Sequence, residues 1–175
     1  MTDLVSDLLT VSRIETAKLP FKKAEFSLND LAQELVKIFT PFAKASNVEV
    51  NLSAPSGLPK IVSDVSQIKQ VIENLLDNAL RYSKNTGEIE IKLEKKNKDI
   101  YFEIKDSGVG IPRDDQKHIF QKFFRSENVM KYQTQGSGLG LYIAKAIIEK
   151  AGGKIGFKSQ EGKGSTFWFT IPIKS

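Results

Sequence analysis

The strongest periodic pattern in the chain lies between Asp64 and Ser83, where apolar residues recur every three or four positions. At about 100° per residue, this spacing predicts one apolar helix face. That face holds Ile68, Ile72, Leu75 and Ala79, with Val71 and Leu76 at its margins. The adjoining polar strip holds Asn74, Asn78, Arg81 and Tyr82. Asparagine is a poor interior helix residue because its side chain competes for backbone hydrogen bonds. The strip is therefore either an ordinary polar edge or the wall of a site.

The first residues form a second helical pattern. Over residues 2–18, Leu4, Leu8, Val11 and Ile14 lie at helical spacing, Val5 and Leu9 widen the stripe, and Pro20 ends it. A helix this short is marginal by itself. We expect its apolar stripe to pack on another helix, in this chain or in a second copy. The alternative is a frayed terminal helix docked on the domain.

The elements between these two helices are predicted from turns and caps. Residues 21–26 are expected to form a strand, and Ser27 is expected to cap a helix that reaches about residue 45 and bends at Pro41. Its inward positions are predicted to be Leu31, Leu35, Ile38 and Phe39. Residues 48–52 alternate as a strand, and residues 54–59 form a loop. Asp64 and Gln67 form a predicted capping box at the start of the asparagine-bearing helix.

A hairpin is predicted after the turn at residues 85–87. Ile89, Ile91 and Leu93 share one face of its first strand, and Ile100, Phe102 and Ile104 share one face of the second, with a turn at Asn97. Asp106 is the next residue on that inward face. An ionised carboxylate there is costly unless a hydrogen-bond donor meets it. It either caps the following turn or faces a ligand, and the glycines at 108 and 110 would let a backbone approach closely.

Residues 113–135 are mostly polar and irregular, which is typical of a lid or of a disordered connection. If the segment is a lid, Phe120, Phe123 and Phe124 are expected to pin it to the domain. Gly136, Gly138 and Gly140 then precede a helix that is predicted to run through Ala151 and to end at Gly152-Gly153. Exposed amides and the helix dipole at such a start favour an anion such as phosphate. Two strands, at residues 154–159 and 165–173, complete the chain.

Composition limits the alternatives. The 175 residues are 40% hydrophobic, which suits one core with a short appendage. The net charge of +5 is interspersed with acids rather than gathered in an arm, so nucleic acid is not favoured as a partner. Cysteine is absent, which excludes disulfides and thiolate metal sites. No apolar run approaches the roughly 20 residues of a membrane span, and the N-terminus lacks a signal pattern, so no direct membrane contact is expected.

The order of these signals resembles the catalytic, ATP-binding domain of sensor histidine kinases, in the superfamily of the gyrase, Hsp90 and MutL ATPases (GHKL, Bergerat fold). The segments that carry the resemblance are residues 74–82 as the N box, 106–110 as the G1 box, 119–125 as the F box, 136–140 as the G2 box and 162–167 as the last glycine segment. Residues 14–19 also resemble the end of the second dimerisation helix. The resemblance implies that residues 1–19 end a dimerisation and phosphoacceptor domain and that residues 20–175 form the catalytic domain.

The implied fold is an α/β (α+β) two-layer sandwich, in which a mixed sheet of five or more strands packs on three helices, preceded by one N-terminal helix. The implied cofactors are ATP or ADP and Mg²⁺. Asp106 would accept from the adenine amine, Asn78 would ligate Mg²⁺ with help from Asn74, and Arg125 would contact the terminal phosphate. Asn74 and Arg125 are the implied catalytic residues. The other implied nucleotide contacts are Arg81, Tyr82, Gly108, Gly110, Ile111, Gly136, Ser137, Gly138, Leu139, Gly140, Leu141 and Thr166.

Two departures narrow the function. Hydrolysing members of the superfamily carry a glutamate base where this chain has Asn74, and Glu73, with Asp77, is expected on the outward face of the helix. Hydrolysis should therefore be slow. The only histidine, His118, lies in the lid and lacks the sequence that follows an acceptor histidine. We expect a solvated lid residue there, so the chain as it stands cannot phosphorylate itself.

The expected partners are a separate phosphoacceptor domain, a response regulator downstream and a homodimer of the parent protein. The expected location is cytoplasmic, as part of a membrane-bound sensor. The alternative is a non-catalytic nucleotide-binding regulator, or a protein kinase of the anti-sigma type from the same superfamily.

Overall fold

The computed structural model describes residues 4–83, 87–132 and 135–173. The helices in these ranges are α1 (Leu4–Glu15), α2 (Leu28–Ala45), α3 (Val65–Tyr82), α4 (Glu127–Tyr132) and α5 (Gly140–Lys150). The strands are β1 (Ala24–Phe26), β2 (Glu49–Ser53), β3 (Ile61–Ser63), β4 (Glu88–Lys96), β5 (Asp99–Asp106), β6 (Lys154–Gln160) and β7 (Gly164–Pro172). A single 3₁₀ turn, Gln116–His118, lies between β5 and α4. Residues 85 and 86 of the predicted turn, residues 133 and 134 of the predicted lid and the first residues of the N-terminal helix lie outside the described ranges.

Five strands form one mixed sheet in the order β2-β4-β5-β7-β6, and β1 pairs with β3 in a small separate sheet. Strand β2 runs parallel to β4, whereas the other neighbours are antiparallel. Inward and outward residues alternate along β4, β5 and β7, which leaves one face for the core and one for solvent. Helices α2, α3 and α5 cover the core face. The fold class predicted from the sequence is confirmed.

The core confirms the helical and strand periodicities. Ile68, Ile72, Leu75 and Ala79 of α3 are all buried, as are the inward rows of β4 and β5. Phe102 of β5 stacks on Phe169 of β7 with ring centroids 4.7 Å apart. Burying side chains of this size stabilises a domain by about 1.5–3 kcal/mol each. The α3 helix is therefore held firmly against the sheet, and its polar strip is fixed beside the core.

Helix starts follow the predicted caps in part. The Ser27 Oγ accepts from the backbone N–H of Asp30 at 3.1 Å, and Asp64 Oδ1 accepts from that of Gln67 at 3.0 Å. The reciprocal half of the Asp64 capping box does not form, because the Gln67 side chain donates to the Pro20 carbonyl. Asp64 Oδ2 accepts from the backbone N–H of Lys22 instead, at 2.6 Å. The cap of α3 thus also fastens the segment that follows α1.

Two local predictions differ from the structure. Strand β3 was not predicted, because three residues are too short to show a period. Ile38 of α2 is 46% exposed, since the helix buries Ala32, Leu35 and Ala43 instead. Helix α2 ends at Ala45, as predicted.

Helix α1 packs against α5, but with a different face from the predicted one. Val11 is buried as expected, whereas Leu4 and Leu8 are 51% and 43% exposed, and Asp7 is only 3% exposed. The reason is the surface that receives the helix, which includes a serine hydroxyl as well as apolar groups. After the helix, Leu19 is buried, and its carbonyl accepts from Lys150 Nζ at 2.6 Å.

None of the helices in the described ranges has both the length and the apolarity needed to cross a bilayer.

Candidate nucleotide site

A cavity of about 450 Å³ opens between α3, the loop after β5, the segment before α4 and the start of α5. This volume is within the range of small-molecule sites. Its lining from the α1 and α3 helices is Leu4, Asp7, Asn74, Asp77, Asn78, Arg81 and Tyr82. Its lining from the following segments is Asp106, Val109, Gly110, Ile111, Ile119, Phe124, Arg125, Ser126, Val129, Gln135, Gly136, Ser137, Gly138, Gly140, Leu141, Ser165 and Phe167. Segments far apart in sequence therefore meet at one site.

The polar strip of α3 forms one wall. Asn74 is 7% exposed and donates from Nδ2 to the Gly140 carbonyl at 3.1 Å. Asn78, one turn later, also lines the cavity, and its carboxamide makes no hydrogen bond with the described residues. Asp77 also lines the cavity, contrary to the outward position predicted for it, and pairs with Arg81 at 2.7 Å. The wall thus offers amide and carboxylate oxygens beside a guanidinium.

Asp106 ends the inward row of β5 and is 7% exposed. Burial raises the pKa of this carboxyl from 3.8 to about 6, although the backbone N–H groups of Gly108 and Ser165 partly offset the effect. The Gly108 N–H donates to Asp106 Oδ1 at 2.9 Å. A buried carboxyl oxygen that lines a cavity is a strong acceptor for a ligand N–H. The sequence-predicted position of Asp106 in the site agrees with this geometry.

The glycines after Asp106 have a packing role that the sequence reading did not anticipate. A Cβ at Gly108 would lie 2.0 Å from the Tyr82 carbonyl oxygen, and one at Gly110 would lie 2.1 Å from that of Gln160. Gly110 also has a φ of +67°. Backbones therefore approach each other here, not only a ligand.

The lid segment is attached at its base. Asn128 Nδ2 donates to the Gly110 carbonyl at 3.0 Å, and the Ser126 hydroxyl bonds to Asp115 and Asn128. Ile119, Phe124 and Val129 turn apolar surface towards the cavity.

The aromatic residues of the lid do not all behave alike. Phe120 packs on Phe157 and Phe124 packs on the core, as predicted, whereas Phe123 is 60% exposed. The half-buried His118 bonds through Nδ1 to Gln121 Oε1 at 3.1 Å, and its ring lies 5.5 Å from that of Phe124.

Two guanidinium groups converge at the start of the glycine loop, which comprises residues 136–140 and leads into α5. Arg81 Nη1 and Arg125 Nη2 donate to the Gln135 carbonyl at 3.0 and 3.3 Å. The Phe123 N–H donates to the Gly138 carbonyl at 2.9 Å, so the lid crosses the loop. Burial raises the pKa of Tyr82, while Arg125 and Arg81 oppose that shift. The loop is therefore held in an electropositive environment that suits an anionic ligand.

Most of the residues implied by the resemblance lie in this cavity, but three do not line it. Gly108 packs on Tyr82 as described, and Leu139 has its side chain in the core while its N–H donates to the Ser137 Oγ at 3.2 Å. Thr166 does not line the cavity, contrary to the prediction, because the alternation of β7 turns it to the opposite sheet face. Ser165 lines the cavity instead. The sequence reading missed Ser165 by one position and missed Asp7 because acids are expected on exposed helix faces.

No group of three or more His, Cys, Asp or Glu side chains is placed to hold a metal within the described ranges. The α3 wall offers amide and carboxylate oxygens as hard ligands, and Asp7 and Asp106 also line the cavity with carboxylates.

Comparison with known proteins identifies the family. Residues 63–175 match the histidine kinase-, DNA gyrase B- and HSP90-like ATPases. The signal transduction histidine-protein kinase BarA of Escherichia coli (strain K12) is 33% identical over 176 residues, which cover 97% of this chain and 19% of BarA. The solved catalytic domain of the histidine kinase ThkA has a TM-score of 0.77 at 32% identity, over 87% of this chain and 97% of that one.

A structure of full-length ShkA in complex with AMPPNP has a TM-score of 0.84 at 27% identity, covering 97% of this chain and 35% of ShkA. ThkA in complex with the response regulator protein TrrA has a TM-score of 0.76 at 28% identity, over 97% of this chain and 48% of that one. The present chain spans about a fifth of the length of BarA.

The fold, the cavity and these matches define the chain as a member of the histidine kinase-, DNA gyrase B- and HSP90-like ATPase family, whose domains bind ATP or ADP. Within that family it is a catalytic, ATP-binding domain of the sensor histidine kinase type.

Proposed function

We propose that this domain holds Mg²⁺-ATP and transfers the γ-phosphate to a histidine on a dimerisation and phosphoacceptor domain. The observation that carries the proposal is the polarity of the cavity. The same cavity is lined by a buried carboxyl, Asp106, and by Asn74, Asn78, two arginines and the glycine loop. A ligand with a neutral amine at one end and a polyanion at the other fits this arrangement.

At the base, Asp106 would accept a hydrogen bond from the exocyclic amine of adenine. The cavity around it supplies apolar surface for the ring from Val109, Ile111 and Phe167. The raised pKa of Asp106 records the cost of leaving this carboxyl buried without a ligand donor. Adenine binding would relieve part of that cost.

At the phosphate end, the oxygens of Asn78 and Asn74 fit Mg²⁺ in kind, because a hard cation takes neutral amide oxygens when phosphates supply the rest of its charge. The Asn78 carboxamide makes no hydrogen bond with described residues, so its oxygen is available. Asn74 already donates through Nδ2, which directs its oxygen away from Gly140. When bound, Mg²⁺ would neutralise charge on the phosphates. Arg81, Tyr82, Ser137 and the glycine-loop amides would contact phosphate oxygens.

Transfer would proceed by attack of a histidine ring nitrogen on the γ-phosphorus, forming an N–P bond as the bond to the β-phosphate oxygen breaks and ADP leaves. Arg125 lies on the lid side of the phosphate end, where negative charge develops. Asn74 has no useful basicity, so water would not be activated at its position. The domain would therefore keep ATP intact until a histidine is presented.

The acceptor must come from elsewhere, because His118 bonds within the lid rather than facing the cavity. We propose that residues 1–19 end the dimerisation domain and that residues 20–175 are the catalytic domain. The parent protein would be a homodimer, with this part in the cytosol beneath a membrane-bound sensor and a response regulator as the next phosphate acceptor. The complex of ThkA with TrrA supports that assignment by analogy.

The direct test is to incubate the chain with γ-labelled ATP, Mg²⁺ and a separately expressed phosphoacceptor domain. Acid-labile label on the histidine of that domain is the expected result, and an Arg125→Ala variant should abolish it while retaining ADP binding. Nucleotide binding without transfer would instead support a non-catalytic regulator. Acid-stable label on a serine of a partner would indicate a kinase of the anti-sigma type.

A further inference from the structure

An acid from the N-terminal helix lies in the nucleotide cavity. Asp7 is 3% exposed and lines the cavity together with Leu4. Its Oδ2 accepts from the Ser137 hydroxyl at 3.0 Å, while its buried Oδ1 has no hydrogen-bond partner among the described residues. A buried acceptor without a donor costs free energy, so a reason for its position is needed.

Hydrophobic packing does not supply that reason. The helix turns Asp7 inward while Leu4, Leu8 and Leu9 are 51%, 43% and 56% exposed. An amphipathic helix that docked only to bury apolar surface would be rotated the other way. The observed rotation places a negative group on the glycine loop and leaves the leucine face available.

The location of Asp7 makes its charge significant. Ser137, which donates to Asp7, also accepts from the Leu139 N–H at the start of α5. Gly136, which directly precedes Ser137, lies against the Arg81 and Arg125 side chains. The Asp7 carboxylate therefore occupies the neighbourhood of the loop where our proposed function puts the phosphates.

We propose that Asp7 is a nucleotide-selectivity residue supplied by α1, which disfavours the triphosphate while α1 is docked. This inference rests on the proposed function, because it requires phosphates at the glycine loop. Like charges close together in a partly buried site oppose each other's presence. Each added phosphate charge raises this opposition, so ATP is affected most, ADP less and adenosine not at all.

A second contact ties the same helix to the lid. Glu15, at the end of α1, forms an ion pair with Lys122 of the segment 119–125. Helix α1 thus touches both the glycine loop and the lid, and ATP entry that moves Asp7 would loosen α1 from both. ATP binding should therefore weaken the docking of α1, and docking of α1 should weaken ATP binding by the same factor.

The test compares binding of Mg²⁺-ATP, Mg²⁺-ADP and adenosine by calorimetry to the full chain, to Asp7→Asn and to Glu34→Gln. Asparagine keeps the shape and the acceptor for Ser137 but removes the charge. Glu34 is exposed on α2, away from the cavity, so it controls for the change in net charge. We expect Asp7→Asn to bind ATP about fivefold more tightly, ADP less so and adenosine unchanged. Glu34→Gln should match the unmodified chain.

Hydrogen exchange provides a readout that does not depend on the variant. In the unmodified chain, ATP should increase exchange at the α1 amides, whereas adenosine should not. Unchanged ATP-to-adenosine selectivity in Asp7→Asn overturns the inference and leaves the proposed function intact. Weaker Mg²⁺-ATP binding by that variant, with metal-free ATP unaffected, also overturns it and makes Asp7 a metal ligand. No nucleotide binding by any of the three proteins overturns both proposals.

Discussion

The Asn74 side chain donates from Nδ2 to the carbonyl oxygen of Gly140 at 3.1 Å, which joins the middle of α3 to the first residue of α5. The two residues belong to different sequence segments, and the bond fixes which way the carboxamide faces. One wall of the cavity is thereby attached to the start of α5, so this contact fixes the position of the α3 wall.

Replacing Asn74 with aspartate should destabilise the domain more than the same change at Asn78. Asn74→Asp removes a buried donor and sets two acceptors against each other, which costs about 1–3 kcal/mol of unfolding free energy. Asn78 has no such bond to the described residues, so Asn78→Asp should cost much less. Urea unfolding of both variants without nucleotide measures the difference. Equal losses would contradict the proposed role of the Gly140 contact.

Asp106→Asn should stabilise the nucleotide-free domain at neutral pH. The pKa of Asp106 is raised from 3.8 to about 6, so the folded state takes up the proton before the unfolded state as the pH falls. The penalty for burying the charge is therefore fully present at pH 7 and disappears between about pH 6 and pH 4. We expect the variant to be more stable by on the order of 2 kcal/mol at pH 7 and equal near pH 4. Thermal melts across this range give the test, and a constant difference would contradict it.

Ionisation of Asp106 should strengthen nucleotide binding, although it lowers the stability of the nucleotide-free domain. The proposed adenine contact requires the ionised carboxyl, so ADP affinity of the unmodified chain should fall as the pH drops below about 6. Asp106→Asn should bind weakly at every pH. Calorimetry near pH 6 should also detect proton release on binding, as a dependence of the heat on the buffer. A flat pH profile for the unmodified chain would argue against the contact.

Gly138→Ala should disturb the crossing of lid and glycine loop. Gly138 has a φ of +72°, and a Cβ there would lie 2.7 Å from the Phe123 carbonyl carbon. Gly57→Ala is a matched control, because Gly57 has a φ of +77° but no atom within 4 Å of such a Cβ. The control should lose about 1 kcal/mol of stability from backbone strain alone. Gly138→Ala should lose more and should also weaken ATP binding, as measured by melting and calorimetry. Identical behaviour of the two variants would show that the clash is relieved without cost.

Asn128→Ala should release the base of the lid. The Nδ2 bond to the Gly110 carbonyl holds α4 to the loop after β5, and its loss should weaken this attachment by about 1 kcal/mol. Stopped-flow release of a fluorescent ATP analogue should show the effect mainly as faster dissociation. Met130 lies on the same helix and is 45% exposed. Met130→Ala should therefore leave the dissociation rate unchanged. An equal rise in both variants would instead indicate general loss of α4.

The agreement between sequence and structure is greatest where a period repeats over several turns. The apolar stripe of α3 and the inward rows of β4 and β5 are predicted correctly, because the inward residues of each element fall on one face at a regular spacing. Capping residues and glycines predict where α3 and α5 begin and end, because these residues act on the backbone locally. The position of Asp106 followed from the same alternation.

Single positions were decided by tertiary contacts. Ser165 rather than Thr166 faces the cavity, because β7 pairs with β5 in the register that sets Ser165 opposite Asp106. The packing roles of Gly108 and Gly110 depend on Tyr82 and Gln160, which lie far away in sequence.

The sequence by itself determined the fold class, the α3 wall and the family, since these depend on patterns that local physics enforces. Only the tertiary structure decided how α1 is rotated. Its own periodicity favours burying Leu4 and Leu8, yet Asp7 is the residue that turns inward, because the receiving surface offers the Ser137 hydroxyl at that point. A helix of 12 residues takes its orientation from what it docks against, and that surface is assembled from residues more than a hundred positions away.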